Sequence, residues 1–343
     1  MKVEMIYLSQ EDVIRCGGMS MEKAIDDLEE VFRLYDKGDY ILPGKIVMKR
    51  SEPNAEETTG RINAMPGYIG GRFNMPGIKW IGSGPQNPFK YGLPRGSAVI
   101  VLNDPETKVP IAIMDGTLIS AIRTGAVTGV CAKYMAPSRS KTVGLFGAGP
   151  QCKTQLMALK ASLPQLEKAY VYDLSRERAE KFAAEMSQKL NMDVQAASDR
   201  LATIESGDIL VTATTATEPI IHGAEIKKGV YVAHLGDNEV DEELILRADK
   251  VVIDDWETDK HRMGDTMAYM FRDGKIDDSR IDASVADLVA GRKSGRDNDD
   301  QLTYTCNVGL GLYDVAIAAR VYQYARENGI GQKLKLWDEP IMV

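Results

Sequence analysis

From residue 20 to 37 the apolar side chains return at every third or fourth position. Ala24, Leu28, Val31, Phe32 and Leu34 fall near one face, the spacing of an amphipathic helix. Between 40 and 80 the pattern shortens. Ile46-Val47-Met48, Ile62, Ala64-Met65 and Ile78 to Ile81 alternate with prolines and glycines, which predicts antiparallel strands and turns. Residues 97–103 and 110–114 read as two further strands joined by the turn Asp104-Pro105-Glu106-Thr107, and a helix runs from about 118 to 135.

Beyond residue 140 the register changes. Short apolar runs at 142–146, 168–172, 208–212, 230–235 and 250–253 are separated by helical stretches, one from the glycines after residue 146 through 159 and another over 176–190. Strand and helix alternating at this spacing predict an α/β fold with a parallel, doubly wound sheet of the Rossmann type. The tail from 311 to 328 reads as a helix with alanines and aromatics on its buried face, and 291–300 is the most loop-like polar stretch.

Composition narrows the class. The chain has 343 residues, with 44% hydrophobic and 27% charged, ordinary values for a globular protein of about two domains. Its 42 basic and 50 acidic residues leave a net charge of -8, which disfavours nucleic acid and anionic membrane as partners. A small anionic substrate needs only a local group of cations. No apolar run has the length of a membrane helix, and the first residues carry no apolar signal core, so a cytoplasmic location is expected. Cys16, Cys131, Cys152 and Cys306 show no metal-type spacing and read as buried free thiols. The three histidines (His222, His234, His261) form no HExxH pattern, there is no GxSxG elbow, and no metal is expected.

The most specific chemistry follows the 142–146 strand. Gly147 allows a tight turn, Gly149 allows a pyrophosphate to approach the backbone, and the helix N-terminus behind them presents N–H groups to phosphate. The third position of this dinucleotide fingerprint is Cys152 rather than Gly or Ala, which should loosen the packing of helix on strand. Asp173 closes the next strand, where an acid binds the adenosine ribose hydroxyls and repels the extra phosphate of NADP. NAD is therefore the expected cofactor over NADP, although Arg176 lies near enough to serve a phosphate. Ala148, Pro150, Gln151, Thr124, Thr214 and Asn307 complete the expected cofactor set.

A series of short motifs, in one order along almost the whole chain, resembles the ornithine cyclodeaminase/mu-crystallin family. They are Asn63-Ala64-Met65-Pro66, Gly77-Ile78-Lys79-Trp80 with Pro85 and Asn87, Val101-Leu102-Asn103-Asp104, and Arg123-Thr124-Gly125-Ala126. The series continues through Gly147-Ala148-Gly149-Pro150-Gln151, Glu243-Leu244, and Val308-Gly309 to Asp314. The resemblance implies a homodimer in which residues 1–118 with 315–343 bind substrate and dimerise, while 119–314 form an inserted NAD-binding domain. It implies that Lys45, Lys79 and Arg123 hold a substrate carboxylate and activate the carbon bearing nitrogen, with Asn63 and Met65 beside them. A guanidinium or paired ammonium groups suit a carboxylate, and a buried Lys can exchange protons.

The acid–base aspartate of the family falls in His234-Leu235-Gly236-Asp237-Asn238-Glu239. Alignment back from Glu243-Leu244 selects Asp237, and alignment forward through Gly236 selects Asn238; Asp237 is favoured because it follows the C-terminal end of a strand. His234 is open to either a substrate contact or a structural role, His261 reads as solvated, and Cys306 as a small residue lining the pocket. Cyclodeaminases carry a glutamate where this chain has Asn63, which points towards an amino-acid dehydrogenase or imine reductase. A redox-neutral cyclodeaminase and a cofactor-binding protein without turnover, like the crystallin member, are the alternatives.

Overall fold

Two sheets of opposite character account for the change of pattern near residue 140. The computed structural model describes residues 2–49, 60–262 and 264–342, and the chain divides into two units, Met1–Arg123 with Leu310–Val343, and Thr124–Gly309. In the first unit the strands are β1 (Val3–Leu8), β2 (Tyr40–Ile41), β3 (Ile46–Lys49), β4 (Arg61–Ile69), β5 (Met75–Ser83), β6 (Gly96–Asn103) and β7 (Pro110–Asp115). They lie in the order β1-β7-β6-β5-β4-β2, with β3 also on β4. All neighbours are antiparallel except β1 and β7. Met65 pairs with Lys79, and Lys79 with Ile100, so these three side chains share one face; Ala64, Trp80 and Val99 share the other. Against the sheet packs the Met21–Asp36 helix, capped by Ser20, whose side chain accepts from the Lys23 N–H, and burying Ala24, Leu28, Val31 and Phe32.

The second unit holds β8 (Thr142–Phe146), β9 (Lys168–Tyr172), β10 (Asp193–Ala196), β11 (Ile209–Thr212), β12 (Tyr231–His234), β13 (Lys250–Ile253), β14 (Ala283–Ser284) and β15 (Thr303–Cys306). Every pairing is parallel, in the order β10-β9-β8-β11-β12-β15-β13-β14. The first five positions repeat the doubly wound order, and the late strand β15 enters between β12 and β13. Sequence reading missed β15 because Thr303-Tyr304-Thr305-Cys306 looks polar, yet all four residues are buried. Their hydroxyls are satisfied: Thr303 donates to the Met135 carbonyl (2.8 Å), and Thr305 pairs with the Tyr231 hydroxyl (2.9 Å). The loop-like stretch 291–300 is tied down by Arg296, which donates to the carbonyls of Met135 and Gln301.

The chain then returns to the first unit as the Gly311–Glu327 helix and β16 (Gln332–Trp337), antiparallel to β1 at the sheet edge. This helix lies on β4 at a separation that permits no extra atoms. A Cβ on Gly311 would stand 2.7 Å from the Met65 carbonyl oxygen, and one on Gly67 would stand 2.9 Å from Leu312 Cδ2. Phe32 and Tyr313 meet beneath it with ring centroids 5.5 Å apart. Ile100 is fully buried in the middle of this layer. Ile100→Ala should lower the unfolding free energy by about 2–5 kcal/mol in urea denaturation followed by circular dichroism, and a loss under about 1 kcal/mol would show that this face is not the core.

Candidate active site

The shared face of β4, β5 and β6 carries Lys79, and the side chain is fully buried. A buried ammonium needs a counter-charge, which the first turn of the Gly311–Glu327 helix supplies as Asp314, also fully buried. Lys79 Nζ donates to Asp314 Oδ2 at 2.7 Å and to Ser120 Oγ at 3.2 Å. Arg123 completes the group, with Nε 3.5 Å from Asp314 Oδ1; both of these atoms are buried and make no hydrogen bond. Burial, then the neighbouring charge of Arg123, lower the pKa of Lys79 to about 8 against the opposing pull of Asp314, and the charge of Lys45 adds to the lowering. Lys45 itself is half-buried just before β3. The structure thus brings three of the expected carboxylate ligands into electrostatic range of one another. Asn63 and Met65 lie on the same face of β4, Met65 buried and Asn63 with its Oδ1 buried and unpartnered.

In the second unit the β8 turn has the geometry its glycines predict. Gly147 has φ +99°, and a Cβ there would stand 3.0 Å from the Ala213 carbonyl; at Gly149 a Cβ would meet open space. Pro150 opens the Pro150–Ser162 helix, whose N-terminus carries no side-chain cap. An uncapped helix start behind an open glycine is what a pyrophosphate requires, so these residues fit a dinucleotide. Cys152 does not loosen the packing as expected: its thiol is buried and donates to the Phe146 carbonyl at 3.3 Å.

Asp173 closes β9 and accepts from the Ala148 N–H and the Ser175 N–H, both at 2.9 Å. Burial would raise its pKa, but those two bonds and the Arg178 guanidinium hold the carboxyl below its usual range. The base beside Asp173 is therefore Arg178, at 2.7 Å, and not Arg176, which pairs with Glu180 and donates to the Ala197 carbonyl. Ser175, not Asp173, caps the following helix.

Of the remaining expected cofactor residues, Gln151 donates to Thr154, and the Thr124 carbonyl accepts from Gln155. Thr214 donates through its hydroxyl to Glu239 at 2.6 Å, and Asn307 contacts the Cys131 sulfur. The backbone after Asn307 is fixed by Asp254, which accepts from the Val308 and Gly309 N–H groups at 2.8 and 2.9 Å.

Asp237 and Asn238 part company in the structure. Asn238 is spent on the loop, donating to the Thr217 carbonyl and accepting from the Thr266 hydroxyl. Asp237 keeps about half of its side chain exposed and is held by Arg262 Nη2 at 2.7 Å. His234 is no surface ligand: it is buried, with Nδ1 2.7 Å from the Tyr304 hydroxyl. Cys306 is equally buried and donates to Asp265 at 3.3 Å, while burial, then Asp265, push its thiol pKa well up, which removes it as a nucleophile. His261 is exposed, as expected. Ligand atoms of His234, Asp265 and Cys306 lie within 4.8 Å of one another, but the guanidinium of Arg262, 3.9 Å from both Asp259 and Asp265, supplies the positive charge those carboxylates call for.

Sequence reasoning gave no role to Asp314, which it read only as the end of a family motif, nor to Arg178, Arg262 or Glu239. The signal for Asp314 was present: a single acid in the otherwise apolar run Leu312-Tyr313-Asp314-Val315-Ala316.

Comparison with known proteins identifies the family. The model of the ornithine cyclodeaminase/mu-crystallin family matches residues 4–329. An N-((2S)-2-amino-2-carboxyethyl)-L-glutamate dehydrogenase of Staphylococcus aureus is 32% identical over 98% of this chain and 100% of its own. The Δ1-pyrroline-2-carboxylate reductase of Thermococcus litoralis, solved with NADH and L-proline, superposes with a TM-score of 0.88 at 36% identity, over 96% of this chain and 99% of that one. An archaeal alanine dehydrogenase dimer with bound NAD superposes with a TM-score of 0.87 at 33% identity, over 98% of this chain and 100% of that one. With the family model covering nearly the whole chain and relatives above 30% identity along its length, this protein belongs to the ornithine cyclodeaminase/mu-crystallin family.

Proposed function

We propose that this NAD-dependent oxidoreductase exchanges hydride between the nicotinamide and the α-carbon of a small amino or imino acid, as an amino-acid dehydrogenase or imine reductase. The observation that carries the reading is the buried Lys79–Asp314–Arg123 group, a cationic receptor for a single carboxylate with a lysine titrating near neutrality. Relatives that act on pyrroline carboxylate and alanine support the substrate class. Lys45, Lys79 and Arg123 hold the carboxylate, and Asp237, steadied by Arg262, takes or returns the proton on nitrogen or on water. Bound nicotinamide supplies or accepts the hydride; positioning and fixed charge from the protein supply most of the rate. Asp173, kept ionised by its N–H donors, favours NAD over NADP.

Ile46, Met48, Ile62, Trp80 and Val99 are exposed, and Trp80 and Val99 pair on the face of β5 and β6 that is opposite Lys79. An apolar face of this kind favours a homodimer through the first sheet. Four buried thiols suit a reducing, cytoplasmic compartment. No helix among the described residues is long and apolar enough to cross a membrane.

The direct test is NADH absorbance with L-alanine, L-proline, L-aspartate, L-lysine and L-ornithine in the oxidative direction, and with pyruvate plus ammonium and Δ1-pyrroline-2-carboxylate in the reductive one. Net conversion of NAD(H) with one of these is expected. Ammonia from ornithine without net NADH would replace the reading with a cyclodeaminase, and silence across the panel would sink it.

The lowered pKa gives a second expectation. Lys79 is protonated below about 8 and neutral above, so KM for the carboxylate substrate should rise as pH passes through that value. Lys79→Arg, which stays charged, should abolish the limb; a flat KM in the native protein from pH ~6.5 to ~9.5 would take the charge of Lys79 out of binding. For the dimer, Trp80→Glu should give monomers by size-exclusion chromatography with light scattering, its circular dichroism unchanged. A persisting dimer would move the interface elsewhere.

A further inference from the structure

We infer that Asp314 is the positioning residue of the substrate-carboxylate site: its one buried carboxylate fixes the ammonium of Lys79 and the guanidinium of Arg123 relative to each other, so that they meet the incoming carboxylate as a preformed pair. The inference rests on the reading above, in which these two cations take that carboxylate.

The two oxygens of Asp314 are used unequally. Oδ2 is committed, at 2.7 Å from Lys79 Nζ. Oδ1 stands 3.5 Å from Arg123 Nε, an ion pair in which neither atom makes a hydrogen bond. Lys79 is therefore anchored, while Arg123 is attracted through Nε without a hydrogen bond to that carboxylate. A helix that bonded both cations fully would leave nothing for substrate. One that bonded neither would leave three like charges to repel.

Asp314 also has no slack. Gly311 and Gly67 bring its helix onto β4 with backbone in contact, and Ser120, on the Thr117–Met135 helix, receives the second Lys79 hydrogen bond. The ammonium is thus tied to two helices and cannot follow a displaced carboxylate far. Electrostatics adds to geometry: Asp314 holds the pKa of Lys79 up against burial and the charges of Arg123 and Lys45, so its loss would turn Lys79 neutral at lower pH.

The experiment compares native protein, Asp314→Asn and Asp314→Glu in the full chain. Three quantities are read: steady-state kinetics against pH with the substrate found in the panel, NADH affinity by fluorescence, and binding of pyrrole-2-carboxylate, a planar carboxylate probe, by calorimetry. Asp314→Asn should raise KM about 30-fold or more and move the alkaline limb to lower pH, with NADH affinity unchanged within about twofold. Asp314→Glu keeps the charge and displaces it by a methylene. It should leave the limb in place and still raise KM, and weaken the probe, about tenfold.

A merely structural carboxylate predicts native KM and probe affinity for Asp314→Glu, and that result would overturn the inference. So would an unmoved limb in Asp314→Asn. If Asp314→Asn does not fold, Asp314→Glu alone decides. If the native protein turns over nothing in the panel, the functional reading fails separately, and the probe still decides: equal binding to native and Asp314→Glu, or none to the native protein, overturns the inference.

Discussion

A lysine with no exposure to water is the constraint around which the first unit is arranged. Moving its ammonium out of solvent costs several kcal/mol unless an opposite charge lies within bonding distance. Asp314 meets that requirement from another element, 235 residues along the chain. The requirement accounts for features that otherwise look unrelated: two glycines where helix meets strand, an acid in an apolar helix, and an arginine drawn towards a carboxylate oxygen that it does not bond. A purely hydrophobic layer would be easier to build, and it could not receive a carboxylate.

The second unit solves the inverse problem. Around Arg262 the acids Asp237, Asp259 and Asp265 outnumber the base, and the excess negative charge is dispersed by directed donors. Asp265 accepts from the Met267 and Ala268 N–H groups at the start of its helix, and Glu239 accepts from the Thr214 and Gly236 N–H groups. Backbone N–H groups at turns and helix starts stabilise carboxylates without adding a mobile charge. The loop that carries Asp237 is thereby held at both ends, while Asp237 itself keeps contact with solvent.

What the sequence disclosed follows from where local pattern and burial agree. β8, β9, β11, β12 and β13 are short apolar runs, and the amphipathic spacing of the Met21–Asp36 helix needed only its own side chains to be read. β16 escaped notice because Gln332-Lys333-Leu334-Lys335-Leu336-Trp337 is a short edge segment with no buried residue, and β10 because Asp193-Val194-Gln195-Ala196 looks like loop. In the site, Lys79 and the glycines of the β8 turn were legible as motifs. The roles of Asp314, Arg178 and Arg262 were not, because each is defined by a partner distant in sequence or offset by two positions from the one expected. Arg176 is the instructive case. It has the right charge in the right segment, but the turn of the helix gives it to Glu180 and gives Arg178 to Asp173.

That exchange bears on how the coenzyme preference of this scaffold could be altered. Redesigns towards a phosphorylated coenzyme usually have to remove an acid and install a base. Here the base is already built, folded against the acid that masks it. Shortening Asp173 to a serine would remove the repelling carboxylate and release the Arg178 guanidinium in one substitution. On the proposed reading, the difference between the two coenzymes rests in this chain on a single ion pair, and the ancestry of such pairs is a natural place to look for switches of preference among its relatives.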